Sequence, residues 1–163
     1  MRSALSRGWR DEPGTLDLLL DGAVADPGGA ARAAALRVIA REWSAEARTP
    51  ALLRERAVAD PDGAARAAAL DALADGWSAD PSTLPLLRAR AVSDPDPEAR
   101  ATMLGSLARY WRERPDTWPL LRDRALSDPG GAARGSALRT IAERCYDDPA
   151  SWEVAELHDR RSA

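Results

Sequence analysis

Apolar residues recur along this chain at helical spacing, in short stripes separated by Asp-Pro turns. In the stretch after Asp60-Pro61, Arg66, Leu70, Leu73 and Trp77 stand at i, i+4, i+7 and i+11 and so share one side of a helix, with Ala68, Asp71 and Asp75 opposite them. That helix opens at Asp62-Gly63-Ala64, and its counterpart in the next stretch opens at Asp96-Pro97-Glu98. A second kind of helix follows a Pro-containing turn such as Asp80-Pro81-Ser82-Thr83, where Asp80 or Thr83 suits the cap and Pro81 the first turn. It carries Leu84, Leu86, Leu87, Ala91 and Val92 before Asp94-Pro95 ends it.

The whole pattern repeats every 34 residues without insertion. Asp26-Pro27, Asp60-Pro61, Asp94-Pro95 and Asp128-Pro129 keep this step, as do Trp9, Trp43, Trp77 and Trp111, with Cys145 in the fifth place. Thr15, Thr49, Thr83, Thr117 and Ser151 form another series, and Leu36, Leu70, Leu104 and Leu138 a further one. Helices this short are unstable alone in water, so neighbouring pairs must supply each other's core. The expected organisation is one repeat domain over 1–163: a partial helix at 1–14, repeats at 15–48, 49–82, 83–116 and 117–150, and a C-terminal capping helix at 151–163. Residues 2–9 supply only the end of a second helix, which suggests an array cut from a larger chain.

An arginine on each apolar stripe needs a partner, because an isolated buried guanidinium is prohibitively costly. Asp26 to Arg32, Asp60 to Arg66, Asp94 to Arg100 and Asp128 to Arg134 share a spacing of six, which predicts a ladder of Asp–Arg pairs along the turns. Acid/base chemistry is not expected of them, since arginine keeps its proton.

These features resemble the HEAT repeat: Asp in the inter-helix turn, Arg six residues later, then Ala-Leu and a following Leu or Ile on the second helix. Asp94-Pro95-Asp96-Pro97-Glu98-Ala99-Arg100 is the nearest match. More narrowly, Trp77-Ser78-Ala79-Asp80-Pro81-Ser82-Thr83-Leu84-Pro85-Leu86-Leu87-Arg88, continuing to Asp94, is similar to the 34-residue HEAT variant of C-terminal regions in bacterial NACHT-type STAND ATPases. The resemblance implies an all-α, right-handed α-solenoid of stacked antiparallel helix pairs, and a sensor or interaction region in signalling or defence. No Walker loop accompanies it: Gly28, Gly29, Gly130 and Gly131 are helix-start residues without a following Gly-Lys-Ser/Thr.

Composition narrows the chemistry. All 23 basic residues are arginine and the formal net charge is -3, so nothing draws the chain generally toward phosphate backbones or anionic membranes. Arginine without lysine, with abundant Ala, Gly, Pro and Asp, is the usage of a GC-rich bacterial genome. One cysteine, Cys145, and one histidine, His158, leave no disulfide framework and no ordinary zinc or haem site. No apolar run approaches the roughly 18 residues that cross a bilayer, and no signal peptide is evident, so the chain reads as cytoplasmic.

The tryptophan series shares the leucine stripe and reads as core, with Trp118 and Trp152 enlarging it near the C-terminal end. Arg54 and Arg56, Arg88 and Arg90, and Arg122 and Arg124 flank the apolar stripe of the first helices, their heads reaching water or acids such as Glu55 and Asp123.

HEAT-like solenoids line a concave face with second helices, and its exposed positions are the expected partner surface. Those singled out are Arg37, Arg41, Asp71, Asp75, Thr102, Arg109, Ser136, Arg139 and Glu143. The function expected is a non-enzymatic scaffold or sensor module that binds a protein or peptide with no cofactor. The alternative is a nucleic-acid-binding module resembling HEAT-like DNA glycosylases; the net acidity and the three Arg against six Asp/Glu of repeat 49–82 oppose it. Chromophore lyases built on related repeats are a third class, for which the sequence carries no recognisable chemistry.

Overall fold

A computed structural model describes residues 12–144. Eight α-helices and no strand occur among the described residues: α1 Thr15–Ala25, α2 Gly29–Glu42, α3 Arg48–Ala59, α4 Gly63–Gly76, α5 Thr83–Ser93, α6 Pro97–Tyr110, α7 Thr117–Ser127 and α8 Gly131–Arg144. They alternate as 11- or 12-residue first helices and 14-residue second helices, as the repeat demands. Two compact units comprise Met1–Trp77 and Ser78–Ala163.

In the first unit α1 packs on α2 and α3 on α4, while α2 and α4 lie against each other. The core between them is built from Leu36, Ile39, Leu53, Ala57, Leu70 and Leu73, all fully buried. Each large side chain contributes roughly 1.5–3 kcal/mol relative to exposure. The alanines of α4 let its neighbours approach closely. Ala68, expected on the open side with Asp71 and Asp75, is instead 1% exposed, so α4 is buried on more than its leucine stripe. In the second unit α5 packs on α6, α7 on α8, and α6 on α8, around Leu87, Met103, Leu104, Leu107 and Leu121.

Two kinds of start set the helices. Asp62 caps α4, its Oδ1 accepting from Ala64 N (2.9 Å) and Ala65 N (3.1 Å); Asp96 does the same for α6, from Glu98 N (2.8 Å) and Ala99 N (3.0 Å), ahead of Pro97. The first helices begin differently from expectation. Asp80 does not cap α5; its Oδ1 accepts from Ser82 N (2.8 Å) and Ser82 Oγ (2.6 Å) within the linker, and Thr83 is already helical. Pro50, Pro85 and Pro119 lie in the first turns, where a missing N–H leaves no intrahelical bond unmade.

The tryptophans sit one residue beyond the second helices. At Trp43, Trp77 and Trp111 φ is -122° to -133° and ψ 31° to 38°, so the backbone has left the helix although each N–H still donates to the carbonyl four residues back. Their carbonyls anchor the next first helix: Thr49 Oγ1 donates to Trp43 O and Thr117 Oγ1 to Trp111 O, each at 2.8 Å. Trp111 is buried, and Trp43 and Trp77 are half-buried, as is Trp118. Thr83 is fully buried too, but its Oγ1 has no hydrogen-bond partner among the described residues. Trp9, Cys145, Trp152 and His158, with the N-terminal partial helix and the C-terminal capping helix, lie outside the described residues.

Candidate interaction face

The turn before each second helix holds an aspartate in an extended conformation, near φ -60° and ψ 131°. Its carboxylate accepts the N–H two residues on: Gly28 for Asp26 (2.8 Å), Asp62 for Asp60 (2.9 Å), Asp96 for Asp94 (3.0 Å) and Gly130 for Asp128 (2.8 Å). That bond aims the remaining oxygen surface away from the helix that follows.

At Asp60 and Asp128 the guanidinium that meets this surface is not the one six residues later. Arg32 Nε and Nη2 donate to Asp60 Oδ2 and Oδ1 at 2.8 and 2.6 Å, and Arg100 does the same to Asp128 at 2.9 and 2.6 Å, across 28 positions. The arginine six residues on takes the aspartate's carbonyl instead. Nη1 of Arg32, Arg66, Arg100 and Arg134 donates to the main-chain oxygen of Asp26, Asp60, Asp94 and Asp128 at 2.7, 2.9, 2.7 and 2.7 Å. The planar fork explains this division. With one edge committed to its own turn, the opposite Nε–Nη2 edge faces the adjacent repeat and binds that carboxylate bidentately. Arg32 and Arg100 are thus struts between repeats, and at Asp60 and Asp128 the pairing expected at a spacing of six is corrected to 28.

These struts are dry. The side chains of Arg32 and Arg100 are 7% exposed and those of Asp60 and Asp128 are 0%. Burial pushes both carboxyls upward, yet the arginine hydrogen bond, the N–H two residues on and the nearby guanidinium charges outweigh it and hold them below the usual carboxylate range. The hydrogen bonds to Asp60 and Asp128 raise Arg32 and Arg100 despite their desolvation. Arg56 and Arg124 stand 3.9 Å from the same carboxylates while bonding to Glu55 and Asp123. Arg88 binds Asp116, whose exposed carboxyl is thereby lowered.

The positions expected to meet a partner are mostly open. On the first unit Arg37 and Arg41 of α2 and Asp71 and Asp75 of α4 are exposed. On the second, Thr102 and Arg109 of α6 and Arg139 and Glu143 of α8 are exposed. Thr102 Oγ1 donates to Glu98 O (3.0 Å) and Arg41 bonds to Glu42 (2.6 Å). Ser136 departs from the set: it is 9% exposed and its Oγ donates to Ala101 O (2.9 Å), so it ties α8 to α6.

A steric match between successive helix starts was not anticipated. A Cβ on Gly29 would overlap the Asp62 carboxylate group, and one on Gly130 would overlap Pro97 and come within 2.7 Å of Arg100 Nη2. Where one start carries bulk, the one opposite it is glycine. The sequence shows the differing starts Gly28-Gly29, Asp62-Gly63, Asp96-Pro97 and Gly130-Gly131, but not which residues confront each other.

Among the described residues no group of His, Cys, Asp and Glu could hold a metal ion, and no helix is long and apolar enough to cross a membrane. The family model for HEAT repeats matches residues 50–142, more than half of the chain. This chain belongs to the HEAT-repeat family. No curated protein and no solved structure matches it. As a HEAT-repeat protein it is an all-α fold of helix pairs, of a kind typical of protein-interaction scaffolds, and no catalytic family is identified in it.

Proposed function

We propose that this HEAT-repeat protein is a non-enzymatic interaction module that binds a protein or peptide along the exposed side of its second helices. The observation that carries this reading is the contrast between two sets of aligned positions. The aspartate of the turn and the arginine six residues on are the same in every repeat, whereas the aligned position on the open side of the second helices carries Arg37, Asp71, Gly105 and Arg139, a cation, an anion and no side chain at all. A uniform scaffold with a varied, mixed-charge surface suits shape and charge complementarity to a polypeptide better than a small apolar ligand.

The resemblance of the stretch from Trp77 to Arg88 to the NACHT-associated HEAT variant supports a cytoplasmic, sensor-like role within a bacterial signalling or defence ATPase. An upstream nucleotide-binding domain in the same reading frame is the expected genomic context. The interaction reading is tested by affinity capture with the full chain and with the charge reversals Arg37→Glu, Asp71→Arg and Arg139→Glu, beside the first-helix control Glu55→Arg. A partner lost with the first three and kept with the control is expected. Capture indifferent to all four, or a salt-sensitive shift of duplex DNA by the wild-type chain, would count against it.

A further inference from the structure

The two units carry different chemistry at aligned exposed positions. On the second helices of the first unit, Arg37 and Arg41 are followed one repeat later by Asp71 and Asp75; in the second unit the same places hold Gly105 and Arg109, then Arg139 and Glu143. The bond from Ser136 Oγ to Ala101 O sets the register of α8 against α6 and places Arg139 beside Gly105, one helical turn from Arg109. A Cβ on Gly105 would meet nothing within 4 Å, so the surface there is an open floor.

Both arginines are available. Arg109 and Arg139 are exposed, and neither has a carboxylate within 4.0 Å among the described residues. Arg109 is nonetheless positioned: its guanidinium carbon lies 5.2 Å from the centroid of the Tyr110 ring, and Tyr110 stands edge-on to Trp111 at 6.1 Å. An oriented fork without an acid partner gives up little freedom when a carboxylate arrives.

We propose that the α6–α8 surface around Gly105 binds an acidic peptide segment, Arg109 and Arg139 each taking a carboxylate while the peptide backbone crosses the glycine floor. One helical turn along and one helix spacing across separate the two arginines by roughly 10 Å, a distance spanned by about three residues of extended chain. Glu143, exposed one turn from Arg139 on α8 and level with Arg109 across the helix pair, flanks the site and opposes the incoming carboxylates. This proposal rests on the interaction-module reading and adds the chemistry of the partner.

The test is fluorescence anisotropy of the full chain with a labelled peptide carrying glutamates three residues apart, its lysine counterpart, and single-stranded DNA of similar length. The glutamate peptide is expected to bind and to weaken with salt. Arg109→Gln and Arg139→Gln should each weaken it about tenfold, Glu143→Gln should tighten it, and Arg48→Gln, on a first helix and not on this face, should leave it unchanged, with circular dichroism confirming the helical fold. No binding of the glutamate peptide at low ionic strength, indifference to both arginine substitutions, or tighter binding of DNA overturns the proposal. Partner capture abolished by Asp71→Arg would still stand in that event, so the two readings fail separately.

Discussion

Asp128→Asn removes a charge while keeping the shape of the side chain, and it probes the inter-repeat strut directly. Arg100, 6% exposed, would keep the Asp94 carbonyl but face a carboxamide in place of two charge-assisted acceptors. Breaking a buried pair by removing one partner costs about 3–5 kcal/mol, a large share of the roughly 5–15 kcal/mol that holds a domain. Arg100→Met removes the other partner with similar volume, and the double variant should recover part of the loss because neither charge is left stranded. A double-mutant cycle for Asp128 and Arg100, measured by urea unfolding followed by circular dichroism, is expected to show a coupling of about 2–3 kcal/mol. The decisive comparison is the cycle for Asp128 and Arg134, which are nearer in sequence but joined only through a carbonyl at 2.7 Å. Asparagine leaves that carbonyl in place, so this coupling should stay below about 0.5 kcal/mol. A coupling to Arg134 that equals or exceeds the coupling to Arg100 would refute the strut.

The lowered carboxyls of Asp60 and Asp128 make stability pH-dependent in a defined direction. Their contribution is complete above the ordinary carboxylate value of about 4 and drains away as pH falls through the lowered native values, so urea midpoints should drop in acid, less steeply in Asp128→Asn, and hold level from about pH 5 to 8. At the helix starts, Gly28→Asp should add a cap like that of Asp62 and stabilise by about 1 kcal/mol, whereas Gly130→Asp should destabilise, because its Cβ overlaps Pro97; pairing it with Pro97→Gly should restore the loss in thermal melts. Thr117→Val should cost about 1 kcal/mol for the bond to Trp111 O, while Thr83→Val, which removes a hydroxyl without a partner among the described residues, should be neutral or stabilising; equal losses at both sites would contradict this.

The helix pairs were legible because a period of 34 and a stripe at i, i+4, i+7 are local statements, and local spacing determines which side of a helix a residue occupies. The strut was half legible. Asp60 and Arg66 are the right residue types at a repeated interval, but the interval nearest in sequence is not the one the carboxylate uses, since only the neighbour's placement decides which fork edge meets it. Trp77 was assigned to the helix because periodicity cannot register the single residue at which the backbone departs. Exposure on the second helices was read correctly at Arg37, Asp71 and Arg139 and missed at Ala68 and Ser136, where a neighbour covers a small side chain that the isolated helix would leave open.

Because donor and acceptor of each strut are 28 residues apart within a 34-residue period, duplicating or deleting a whole period leaves every strut matched, while losing a single residue in a linker would unlatch one. The helix starts are less forgiving. Gly29 tolerates an aspartate opposite it and Pro97 requires a glycine, so a shuffled chain that set an Asp-opened segment against Pro97 would force a carboxylate into the pyrrolidine ring. The order of the segments is therefore written into the molecule as a rule of adjacency, and lengthening this array by copying would succeed at some seams and fail at others.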